Sequence, residues 1–125
     1  MGGVVVASKI LTWLPPGERV TNIILSELGR IKETSIVKLN FATKPSGFSA
    51  RGFLRIVPGS SSGWHQAYNN LGKARRASFI VICIDKEPLL PKEFEGGVLN
   101  LENMKNHQIH QAIRRLVESH IQSAH

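Results

Sequence analysis

Ser35-Ile36-Val37-Lys38-Leu39-Asn40-Phe41-Ala42-Thr43-Lys44-Pro45-Ser46-Gly47-Phe48-Ser49-Ala50-Arg51-Gly52-Phe53-Leu54-Arg55-Ile56-Val57 is the stretch on which the reading of the fold turns. Over residues 35–42 the side chains alternate: Val37, Leu39 and Phe41 point one way, Lys38 and Asn40 the other. That period of two belongs to a half-buried strand. Lys44-Pro45-Ser46-Gly47 has turn composition, with proline presetting one dihedral and glycine tolerating the next. Residues 48–57 alternate again, with Ala50, Gly52, Leu54 and Ile56 on one face and Arg51, Phe53 and Arg55 on the other. Two such strands across a short turn predict a hairpin.

On the N-terminal side, residues 4–14 read as a strand stopped by Pro15-Pro16-Gly17. A helix follows over residues 18–32, because Val20, Ile23, Ile24, Leu28 and Ile31 recur at helical spacing. On the C-terminal side come the loop Pro58-Gly59-Ser60-Ser61-Ser62-Gly63 and a helix from Trp64 to about Arg76. Residues 79–85 form a continuously apolar strand of the kind buried on both faces. The Pro- and Gly-containing stretch 87–97 is an irregular connector, and a last helix spans 101 to about 122 with Ile109, Ile113, Leu116 and His120 on its apolar side. The order β-α-β-β-α-β plus a long C-terminal helix predicts an α+β domain of the ferredoxin-like kind, an antiparallel sheet with one open face.

At 125 residues the chain supports one core, so residues 1–125 are read as a single domain. A lone Cys83 inside an apolar run cannot form an internal disulfide and reads as a small core residue. With no signal-peptide pattern and no run of eighteen apolar residues, the expectation is a cytoplasmic protein that does not engage a membrane.

The net charge of +7 is concentrated. Residues 34–84 contain no Asp or Glu, yet they carry Lys38, Lys44, Arg51, Arg55, Lys73, Arg75 and Arg76; the rest of the chain balances nine basic against nine acidic residues. The same stretch holds Phe41, Phe48, Phe53, Trp64, Tyr68 and Phe79, six of the eight aromatics. Cationic side chains neutralise phosphates and release counterions, and exposed rings stack on unpaired bases. A bland alternative makes the rings core and the charges a solvated face, but it leaves the missing acids unexplained. The expectation is therefore a non-catalytic domain binding single-stranded DNA or RNA. Lys38, Arg51 and Arg55 would sit on phosphates beside Asn40, Phe53 and Trp64 would stack, and Lys44, Lys73, Arg75 and Arg76 would lengthen the track.

Arg51-Gly52-Phe53 resembles the opening of the strand-3 signature of ferredoxin-like RNA-recognition domains, whose open sheet stacks unpaired bases on aromatic rings. The resemblance covers three residues, and Leu54 and Arg55 depart from the small residue and second aromatic that the signature continues with. The loop Gly59-Ser60-Ser61-Ser62-Gly63 before a helix is a second anion candidate, although its spacing matches no phosphate-binding fingerprint.

Other chemistries have weaker sequence support. His107 and His110 stand three apart on the last helix, without the Cys or carboxylate partners of a zinc site, so no metal and no cofactor are expected. Asp85 and Glu87 at a strand end are the best carboxylate pair and motivate the alternative of a Mg-dependent nuclease. The apolar stripe of the last helix motivates a second alternative, a homodimeric adaptor or assembly protein.

Overall fold

The computed structural model describes residues 8–32, 34–45, 54–84 and 87–123. Its elements run β1 (Ser8–Thr12), α1 (Arg19–Leu28), β2 (Thr34–Lys38), β3 (Leu54–Pro58), α2 (His65–Asn69), α3 (Lys73–Arg76), β4 (Phe79–Cys83), β5 (Gly97–Asn100) and α4 (Asn106–Ser123). The five strands form one sheet in the order β2-β1-β3-β4-β5, and every pairing is parallel.

The class is mixed α/β with a C-terminal helix, but the ferredoxin-like antiparallel order and the hairpin at 44–47 are corrected. β1 lies between β2 and β3, pairing Ile10 with Ile36 on one side and with Leu54 on the other. The physical reason lies in burial. Ile10 and Leu11 feed opposite faces of the sheet, and all five residues of β3 and of β4 are buried, which is the pattern of parallel strands covered on both sides. β2, with its alternating half-exposed residues, is an edge strand, and alternation alone does not distinguish an edge from a hairpin arm.

One face of the sheet packs on α1 and α4. Ile10, Leu54, Ile56, Ile80 and Ile82 meet Val20, Ile23, Ile24 and Leu28 of α1 and Ile109, Ile113 and Val117 of α4. Between those helices Glu27 is buried and accepts hydrogen bonds from His110 Nδ1 at 2.8 Å and Arg114 Nε at 2.8 Å. Of the α4 stripe that motivated a dimer contact, Ile109, Ile113 and Val117 are buried in this core and Leu116 packs against it. The other face carries an aromatic layer: Trp64 stacks on Phe79 at 5.7 Å, and Tyr68 meets Phe79 edge-on at 5.2 Å. Phe94 closes that layer against both Trp64 and Tyr68.

The helix expected over 64–76 divides into α2 and α3, separated by residues 70–72, of which Asn70 and Gly72 are weak helix formers. The stretch 87–97 ends in β5, too short and too exposed to announce itself by periodicity. No helix among the described residues is long and apolar enough to cross a membrane.

Candidate functional site at the two edges of the sheet

Because all strands run the same way, the sheet has an amino edge and a carboxyl edge, separated by a five-residue strand, about 15 Å. The expected basic track is divided between them. Lys38 ends β2 and Lys44 lies in the segment after it, so both exposed lysines belong to the carboxyl side. Lys73, Arg75 and Arg76 immediately precede β4 and belong to the amino side, where exposed Lys9 of β1 also stands. Arg51 and Phe53, with Phe48, lie outside the described residues.

Arg55 and Trp64 are placed inside the protein, which corrects their expected roles as outward phosphate and base contacts. Arg55 is 0% exposed in the middle strand β3, its guanidinium donating to Ser78 Oγ and lying 6.0 Å from the Phe79 ring centroid. Burial first, and the neighbouring charge of Arg75 second, pull its pKa below the ordinary arginine value. Trp64 is 0% exposed, and its indole N–H donates to the Pro58 carbonyl at 3.0 Å. β3 and β4 are covered on both faces, and Trp64, at the start of α2, packs on Phe79 and Phe94.

Asn40 is exposed, but its carboxamide oxygen accepts from the Ala42 N–H at 2.9 Å and its carbonyl from the Trp13 indole at 3.2 Å. It shapes the turn after β2. Arg76 also has a structural task. Its Nε donates to the Leu71 carbonyl at 3.1 Å and its Nη2 to the Asn69 carbonyl at 2.9 Å, closing the end of α2, while its guanidinium lies 5.3 Å from the Tyr68 ring centroid. Lys73 and Arg75 remain. Both are exposed, and among the described residues neither has a carboxylate partner.

The carboxyl edge carries a feature the sequence reading missed, a cleft of about 570 Å³ outside the ends of β1, β3 and β4. It opens where the chain changes direction across the sheet. From β1 the connection runs to β2 over one face through α1, and from β3 it runs to β4 over the other through α2 and α3. Such a reversal separates the loops and leaves a crevice between them, the usual binding place in open parallel sheets. One wall is the start of α1, with Glu18, Val20, Thr21 and Ile24; the other is the turn 58–60 and the connector at Glu87 and Leu89. Gly59 ties that second wall together, its N–H donating to the Ile82 carbonyl and its carbonyl accepting from the Leu89 N–H, both at 2.8 Å.

Of the Gly59–Gly63 loop, Ser60 reaches this cleft, while Ser61 turns back to accept from the Gly63 N–H at 3.1 Å. Glu87 lines the mouth and Asp85 lies outside the described residues; among the described residues no three His, Cys, Asp or Glu side chains gather where they would hold a metal ion. The signal for the cleft was present in Pro15-Pro16-Gly17, where Gly17 takes φ +80° and turns the chain from β1 into α1. Comparison with protein-family models, curated proteins and solved structures finds no match.

Proposed function

We propose that the chain is a non-catalytic, cytoplasmic nucleic-acid-binding domain that contacts the phosphate backbone through the amino edge of its sheet. One observation carries the reading: Lys73 and Arg75 are exposed and have no carboxylate partner among the described residues, and they lie in a stretch, residues 34–84, without a single acid. Exposed cations such as Lys73 and Arg75 attract a polyanion, whose binding releases counterions.

Phosphate contact dominates in this reading. The buried rings Trp64, Tyr68 and Phe79 are packed on one another and have no free face for a base. Preference for single strands rests on Phe53, and Lys38 and Lys44 at the far edge contribute little.

Fluorescence anisotropy with labelled single-stranded and duplex oligonucleotides across a salt series tests the proposal. Affinity is expected to fall steeply with salt, and K73Q/R75Q should flatten the log–log slope by about 1.4, since each lost phosphate contact removes about 0.7 on a single strand. K38Q/K44Q should leave the slope nearly unchanged. Absence of binding at about 50 mM salt, or equal effects of the two double variants, contradicts the proposal. Cleavage of the oligonucleotide on adding Mg²⁺, abolished by Glu87→Ala, would replace it with the nuclease reading.

A further inference from the structure

We propose that the carboxyl-edge cleft binds a neutral nucleoside, with the heterocycle inside against the sheet and the sugar hydroxyls at the mouth. This site is separate from the basic edge, and the inference does not depend on the nucleic-acid reading.

The size and interior set the first limit. A space of about 570 Å³ admits a base with its sugar, and the inner walls are apolar, formed by Leu14, Ile24 and Ile82 from the core, by Pro58 at the end of β3 and by Leu89 from the connector. A flat, weakly polar ring suits such walls better than a flexible polar chain.

The second limit comes from the hydrogen-bonding groups. Thr21 lines the cleft at only 5% exposure, and its hydroxyl has no hydrogen-bond partner among the described residues. That hydroxyl is not sealed from solvent, so at the cavity wall it can exchange water for a hydrogen bond to a ligand. Beside it, the first backbone N–H of this turn with an acceptor is that of Asn22, bonded to the Glu18 carbonyl at 3.0 Å. The amides of Arg19, Val20 and Thr21 before it have none among the described residues, and Glu18 offers no side-chain cap. Donors in fixed positions ask for an acceptor on the ligand, which a ring nitrogen or ring carbonyl provides.

Charge sets the third limit. The mouth carries the carboxylates of Glu18 and Glu87 with the hydroxyl of Ser60, and among the described residues no Lys, Arg or His lines the cleft. Carboxylates there accept from a sugar diol and repel a phosphate, so the unphosphorylated nucleoside is favoured over the nucleotide.

Titration of the full chain with adenosine, uridine, adenosine monophosphate and leucine, followed by amide chemical shifts and calorimetry, tests this. At least one nucleoside should bind in a saturable way, shifting amides at 14–24, 58–60 and 82–84, and adenosine monophosphate should bind about fivefold more weakly than adenosine. Thr21→Val should lower nucleoside affinity about tenfold while leaving the thermal midpoint unchanged or raised, since it removes an unpaired hydroxyl and keeps the shape. A residue needed only for packing would show the opposite pattern. Glu87→Gln should narrow the gap between adenosine and its monophosphate. Binding of neither nucleoside, tighter binding of the monophosphate, saturable binding of leucine in their place, or unchanged affinity in Thr21→Val would overturn the inference.

Discussion

Glu27 shows how one buried acid is kept charged. Burial by itself would push its carboxyl up, but hydrogen bonds from His110 and Arg114, with their charges, outweigh that and hold it below the usual glutamate range. A carboxyl lowered in the folded state adds stability that is complete above the ordinary glutamate value and is lost as pH falls through the folded one. Urea midpoints should therefore drop on acidification below about pH 4, and Glu27→Gln should make that drop shallower. At neutral pH Glu27→Ala should cost about 2 kcal/mol, because Arg114 and His110 lose their acceptor but remain partly solvated. Arg55 is the opposite case, a buried cation drawn down by burial and by Arg75. Arg55→Glu is expected to unfold the protein, which makes it unfit as a test of binding.

Among the elements, the aromatic layer is the least forgiving. Trp64 touches Phe79, Tyr68 and Phe94, and Trp64→Ala should cost about 3–5 kcal/mol in equilibrium unfolding. Gly96 passes so close that a Cβ there would lie 2.3 Å from the Phe79 carbonyl oxygen and 2.5 Å from the Phe94 ring. Gly96→Ala should shift the β4–β5 pairing and destabilise by about 1–3 kcal/mol, read from the same curves. At this scale much was legible in the chain: helical spacing located α1 and α4, and the unbroken apolar run 79–83 marked β4 as buried on both faces. The direction of β2 was not legible, because alternation sorts side chains between faces without saying which strand lies beside them. Arg55 misled for the same reason. In Leu54-Arg55-Ile56-Val57 the charge looks like the outward position, yet β3 lies between β1 and β4 with both faces covered.

For the molecule as a whole, the consequence of five parallel strands is polarity. Every strand presents the same end to the same side, so loops gather into two groups with different chemistry. The amino edge collects Lys9, Lys73 and Arg75; the carboxyl edge collects the cleft with Glu18, Glu87 and Thr21. The excess of positive charge was legible in the sequence, but its division was not, since Lys38 and Lys73 fall at opposite edges only once the order β2-β1-β3-β4-β5 is known. The cleft likewise exists only through the reversal of connections at β1 and β3. A two-ended molecule should bind two unlike ligands at once, and light scattering should find it monomeric, because Ile109, Ile113 and Val117 of α4 are already covered by α1 and the sheet.

The most direct measurement is an amide chemical-shift map of the full chain during titration with a short unlabelled oligonucleotide at low salt. The account predicts that the moving amides cluster at Lys73–Phe79 and around Lys9 and Arg55, with those of 38–44 and of the cleft nearly still. Shifts centred on 38–44, or spread evenly over both edges, would contradict it.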